Sequence, residues 1–271
     1  MTLPDVQSKP DGRGIGIDEV GISGLRYPVS VFHAEHGKQD TVASISLSVS
    51  LPPEQKGSHL SRFVEVLDEH AGELTPQSIP TVLQRVRDRL DAHSATLAIR
   101  FPYFLRRSAP ISRASALIDY ACGINASIHD DVLEFAISAG VPVTSVCPCS
   151  KAISDYGAHN QRGTVTIHAV PTWSDGTDHL WLEDLIEAAE ASGSSPVFPL
   201  LKRDDERHVT MAAYDHPVFV EDMVRSVADR LRHDPRIVRF SVEAVNDESI
   251  HNHAAFARLA WPPSHPETGR W

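Results

Sequence analysis

Hydrophobic spacing in this chain runs at a period of two, switches to a helical period, returns to two, and then repeats the cycle. Tyr27 to Phe32 and Thr41 to Leu51 alternate, the second through Val42, Ile45, Leu47, Val49 and Leu51. The polar turn His36-Gly37-Lys38-Gln39 between them predicts a long antiparallel hairpin. Leu60, Phe63, Val64 and Leu67 then recur at helical spacing behind a candidate Ser58 cap. Pro80 opens a second helix carrying Val82, Leu83, Val86 and Leu90. Strands are predicted again at Ala95 to Phe104 and Ala114 to Ile128. The second cycle has strands around Val132 to Val146 and Gly163 to Val170, helices near His179 to Ala191 and Val218 to His233, and strands at Ile237 to Val245 and His253 to Trp261. Helices paired between hairpins argue against a doubly wound sheet, where strands and helices alternate singly, and predict an antiparallel α+β fold of two tandem ββααββ modules. The organisation expected is an irregular Gly-, Pro-, Asp- and Ser-rich arm over residues 1–24, a first module over 25–128 and a second over 129–271.

Composition narrows the function classes. The 271 residues, 41% hydrophobic and 23% charged, suffice for one large core or two modules. No run of about 18 apolar residues occurs, and Met1-Thr2-Leu3-Pro4-Asp5 lacks the basic and then apolar stretch of a secretory signal, so a cytoplasmic location is expected. A net charge of -11 repels nucleic acid and anionic membrane, and neither is expected as a partner; an anionic ligand needs a local basic patch. Three cysteines, with only Pro148 between Cys147 and Cys149, make no disulfide framework, and in a reducing compartment they read as free, metal-bound or catalytic. Gly12, Gly14 and Gly16 form a G-x-G-x-G run, but no predicted strand precedes it and Ile17 stands where a dinucleotide fingerprint needs its last glycine.

Chemistry concentrates in Cys147 to Gly163, CPCSKAISDYGAHNQRG, between two predicted strands. Thiolate and imidazole are the donors that zinc and similar divalent metals prefer. By spacing alone Cys147 is equally a buried strand-end cysteine and His159 a capped loop histidine. A carboxylate from Asp204-Asp205-Glu206 would complete an open site of three protein ligands, although such a cluster is more often a solvated loop. Cations able to meet an anion are Lys56, His59, Arg62, Arg162, Lys202 and Arg203.

CPCSKAISDYGAHNQRG resembles the signature of the type IB GTP cyclohydrolases. So do KGSHLSRF (Lys56 to Phe63), LLKRDDERHVT (Leu200 to Thr210), HPVFVEDMVR (His216 to Arg225) and NDESIHNH (Asn246 to His253). Asp5-Val6-Gln7 and Gly21 to Pro28 are similar to the family's start, while Leu60 stands where the family commonly has Met. The resemblance implies the tunnelling fold, in which each chain supplies two ββααββ modules and several chains close into a barrel with interfacial active sites, here as a homotetramer. It implies Cys147, His159 and Glu206 as ligands of a divalent metal ion (zinc, manganese or iron), and leaves Cys149 outside the ligand set. Glu221 would anchor the purine, since a carboxylate accepts two parallel bonds from N1–H and the 2-amino group, and the same glutamate can swing to the metal. Glu248 and His251 resemble the family's proton-handling pair, and their spacing puts them on one face only if the turn is helical. The activity implied is hydrolysis of GTP at C8 with release of formate and formation of 7,8-dihydroneopterin triphosphate, the first step of folate and pterin synthesis. Two readings compete: a nitrile reductase of the same fold, with a nucleophilic cysteine, and a purine- or zinc-binding module without turnover.

Overall fold

The computed structural model describes residues 7, 10–34, 37–70, 75–172 and 179–263. His36 of the expected turn and Asp5-Val6 of the family-like start lie outside them. In chain order the elements are β1 (Ile17–His33), β2 (Gly37–Leu51), α1 (Ser61–Glu69), α2 (Ile79–Leu90), β3 (Ser94–Ser108), β4 (Ser115–His129), β5 (Val132–Val146), α3 (Pro148–Ile153), β6 (Asn160–Pro171), α4 (Leu182–Glu190), β7 (Ser195–Pro196), α5 (Arg203–Asp215), α6 (Val220–Leu231), β8 (Ile237–Asp247) and β9 (Ala254–Trp261). The doubled order of strands and helices predicted from periodicity is present, with α3, α5 and β7 added to the second cycle.

The chain divides into two compact units, Met1–Pro102 with Gly123–Ala136, and Tyr103–Cys122 with Ile137–Trp271. β3, β4 and β5 therefore each give one part to each unit, a division that differs from a single boundary after residue 128. A 15-residue strand is about 50 Å long, so its two halves can serve different helix groups.

In the first unit the strand order is β1-β2-β3-β4-β5. β1 pairs antiparallel with β2, Val29 opposite Thr41, with register shifts between Ile17 and Val20 and between Ile22 and Leu25. Ladder pairing thus reaches back to Ile17, inside the stretch expected as an irregular arm. No residue of β1 before Val29 is buried, so the shifts and the exposed faces erase the apolar alternation by which a strand is recognised. α1 buries Phe63, Val66 and Leu67, and α2 buries Ile79, Val82, Leu83, Val86 and Leu90; the two helices pack on each other, and α2 packs on β2. Ser58 does not cap α1. Leu60 holds the N-cap position without a side-chain bond, while Ser58 is buried and its carbonyl accepts from Gln7 Nε2 at 2.8 Å.

In the second unit the order is β3-β4-β5-β6-β8-β9, with β7 on β5. β5–β6, β6–β8 and β8–β9 are all antiparallel. Val165, Ile167, Ala169, Phe240, Val242 and Ala244 are buried on these strands, and α4 and α6 pack over β6 and β8 with their own apolar stripes. Polar pairs tie α4 to the sheet. Tyr103 donates to Glu183 at 2.7 Å, and Arg107 makes a two-pronged contact with Glu190, which also accepts from Tyr120. Among the described residues no helix is long and apolar enough to cross a membrane.

Candidate metal and catalytic site

The chain leaves β5 at Val146 and turns through Cys147-Pro148 into α3. Proline fits the first helical turn because its fixed φ is already helical and its missing N–H has no partner to lose there. Cys147 is extended (φ -71°, ψ 119°) at the N-cap, and its Sγ accepts from the Ser150 N–H at 3.5 Å. The Cys147 N–H donates to the His159 carbonyl at 3.1 Å. The His159 N–H donates to Ser150 Oγ at 3.1 Å, and that hydroxyl donates to the Cys147 carbonyl at 3.3 Å. This closed ring of bonds holds Cys147 and His159 side by side, both half-buried, whereas Cys149 is exposed. Lys151 fastens the same corner to the end of α5, donating to the Tyr214 carbonyl at 2.5 Å with its ammonium 4.3 Å from the Tyr214 ring centre.

His159 immediately precedes β6, whose Gln161 lies directly opposite Ser145 of β5. His159 Nδ1 is 2.8 Å from Gln161 Oε1. Gln161 Nε2 donates to Ser145 Oγ at 3.2 Å, and Ser145 Oγ donates to the Val218 carbonyl at 2.9 Å. The Val218 N–H donates in turn to the Val146 carbonyl at 3.1 Å. Val218 is thus stitched to the end of β5, which sets the start of α6, and Glu221 sits exposed in that helix's first turn. From the other side Ser249 Oγ comes within 3.5 Å of His159 Nδ1. That contact brings the β8–β9 turn to the corner, with Glu248 half-buried and His251 exposed and stacked on His253 at 5.0 Å. The segment 248–253 is neither helix nor strand.

Glu206 does not complete a three-donor set with Cys147 and His159. Among the described residues no set of three or more His, Cys, Asp or Glu side chains is arranged to hold a metal ion. The acidic cluster is not a solvated loop: it is the first turn of α5, with Asp205 wholly buried and Asp204 and Glu206 exposed. Asp205 accepts from the N–H groups of Ile111, Ser112 and Lys202 at 2.8, 2.9 and 2.8 Å, and from Ser112 Oγ at 2.6 Å. Burial alone would raise its pKa; the bonds from Ser112, Lys202 and Ile111 outweigh that and hold the carboxyl below the ordinary carboxylate range. Asp205 thereby orients the helix that carries Glu206, a role that an acid in a helical first turn signals only weakly.

The basic candidates are drawn from both units. Lys202 and Arg203 are exposed at the start of α5. Arg162 is exposed on the face of β6 opposite to Gln161 and Gly163. Lys56, His59 and Arg62 belong to the first unit, where the Arg62 guanidinium donates to the Arg89 carbonyl at 2.9 Å in the last turn of α2.

As a donor set, Cys147 and His159 fit a zinc-like divalent ion: one thiol and one imidazole locked at a strand end, with the imidazole's second nitrogen held by a side-chain partner. The family profile described as Type I GTP cyclohydrolase folE2 matches residues 3–257. The chain belongs to this family. It is 45% identical over 261 residues to GTP cyclohydrolase FolE2 of Syntrophotalea carbinolica, covering 96% of each chain. To GTP cyclohydrolase FolE2 of Nitrosomonas eutropha it is 49% identical over 258 residues, covering 95% of each. Among solved structures it is similar to uricase from Arthrobacter globiformis, with a TM-score of 0.51 at 8% identity over 92% of this chain and 96% of that one. It is also similar to urate oxidase from Bacillus sp. TB-90, with a TM-score of 0.54 at 10% identity over 90% and 99%. At such identity the likeness is one of fold, and the fold is the tunnelling fold expected from the resemblance. The FolE2 match takes in every candidate residue from Lys56 to His251.

Proposed function

We propose that the chain hydrolyses GTP at C8, releases formate and forms 7,8-dihydroneopterin triphosphate, the first step of pterin and folate synthesis. The observation that carries this reading is the locked Cys147–His159 corner in a chain whose FolE2 relationship runs through residues 3–257. In it Cys147 and His159 hold a divalent metal ion, zinc, manganese or iron, and Glu206 is the third ligand. When bound, the ion supplies Lewis acidity and makes water nucleophilic near neutral pH. Glu221 receives the purine through two parallel hydrogen bonds from N1–H and the 2-amino group. His251, oriented by Glu248, protonates the ring nitrogen that departs when the C8 bond breaks. Lys56, His59, Arg62, Arg162 and Lys202 are the candidates for the triphosphate, and a homotetramer with interfacial sites is the assembly we favour.

The test is to incubate metal-stripped protein with GTP, alone and with manganese or zinc, and to measure formate together with the fluorescence of the oxidised pterin. Both products are expected, only with metal, and Cys147→Ala should abolish them. Neither product from metal-loaded protein that still binds GTP would replace the enzyme with a binding module.

A further inference from the structure

We infer that Gln161 and Ser145 are positioning residues that fix the tautomer of His159, placing its proton on Nδ1 and leaving the Nε2 lone pair for a ligand. The inference rests on the reading of His159 as a metal ligand and concerns how that ligand is prepared.

The argument starts from an atom with no choice. The Val218 carbonyl can only accept, so Ser145 Oγ, 2.9 Å away, donates to it. With its one proton committed, Ser145 Oγ must accept at its other contact, the 3.2 Å bond to Gln161. The carboxamide therefore presents Nε2 to Ser145 and Oε1 to His159. Because Oε1 can only accept, the proton in the 2.8 Å contact sits on His159 Nδ1, and in a neutral ring Nε2 is then the bare nitrogen. Ser249 Oγ, 3.5 Å from Nδ1, is a second and longer acceptor for the same proton. The opposite tautomer would turn the amide over. Gln161 Oε1 would then face Ser145 Oγ, and either that oxygen or the Val218 carbonyl would lose its proton. Ser145 is 1% exposed and Gln161 6% exposed, so water is poorly placed to repair the loss. β-Sheet register makes the relay possible, since Ser145 and Gln161 are direct cross-strand partners on the buried face of β5 and β6.

The experiment reads the tautomer first and metal second. Long-range proton–nitrogen NMR of the histidine side chains in metal-free protein is recorded at about pH 8.5, where an ordinary imidazole is neutral, and His159 is assigned by its absence from His159→Gln. Wild type is expected to carry the proton on Nδ1. Gln161→Met and Ser145→Ala should move His159 towards the Nε2–H form, while Gln161→Glu, which keeps an acceptor facing Nδ1, should retain the wild-type signature. Zinc affinity, titrated against a chromophoric chelator, should fall about 10- to 100-fold in Gln161→Met and stay within a few-fold in Gln161→Glu. A wild-type proton on Nε2 overturns the relay, and so does a Gln161→Met protein that keeps the Nδ1 proton. If Gln161→Met does not fold, Ser145→Ala and the wild-type spectrum decide the matter alone. Unchanged zinc affinity in His159→Gln, beside the expected tautomer, would instead overturn the ligand reading and leave the relay standing.

Discussion

Asp205 carries no proposed chemistry, yet it accepts four hydrogen bonds that join the β3–β4 turn to the first turn of α5. Replacing it with Ala would remove the buried acceptor shared by the N–H groups of Ile111, Ser112 and Lys202. Asp205→Ala is therefore expected to lower the denaturant midpoint clearly, and to disturb the orientation of Glu206 as a consequence. The pH dependence has a definite sign. The folded carboxyl titrates below its unfolded counterpart, so its stabilisation is complete above about pH 5 and declines as pH falls through the carboxylate range towards the depressed folded value. The gap in unfolding midpoint between wild type and Asp205→Asn should shrink between pH 7 and pH 3, and a constant gap would remove the carboxylate from the account. Asp205 was legible only as one acid among three. Which of three neighbouring acids turns inward depends on the β3–β4 turn, which lies more than 90 positions away in the chain.

At the scale of elements, the strands and amphipathic helices were readable because each buries an apolar stripe at its own period. α5 was not, since its 13 residues bury only Asp205 and Ala213 and leave no stripe to detect. Two glycines mark where the ladders cannot accept a side chain. A Cβ on Gly21, between the two register shifts of β1, would lie 2.0 Å from the Leu47 carbonyl oxygen. A Cβ on Gly163 would lie 2.1 Å from Asn246 Oδ1 and 3.2 Å from the Val245 carbonyl oxygen, and Asn246 is buried opposite Gly163 on β8. Gly21→Ala and Gly163→Ala are each expected to cost about 1–3 kcal/mol by overpacking, measured by chemical denaturation. Gly12→Ala, with nothing within 4 Å of the new Cβ, should be close to neutral. Gln161 left a faint signal of the same kind, a polar residue at an inward position of β6 between Asn160 and Arg162, which face out.

On the ligand set proposed above, the whole molecule must bring Glu206 to Cys147 and His159, since among the described residues of one chain the three do not form a metal-holding group. If sites form between copies, Cys147→Ala and Glu206→Gln chains, each inactive alone, should regain part of their metal-dependent turnover when unfolded and refolded together. Recovery requires Cys147 of one copy to meet Glu206 of another; no recovery, with mixed oligomers shown by mass spectrometry, would place the complete site within each chain. Sedimentation should show a tetramer. The antiparallel α+β class and the doubled ββααββ order follow from hydrophobic period, a local property that each stretch carries within itself. The motif residues were likewise visible as chemistry, Cys147 and His159 foremost. Tertiary structure alone decided that β3, β4 and β5 divide between two units, that Asp205 rather than Glu206 is the buried acid, and that Val218, 73 positions from Ser145, anchors the relay to His159. Each of these depends on which distant polar atoms meet once water is excluded, and local periodicity carries no record of that pairing.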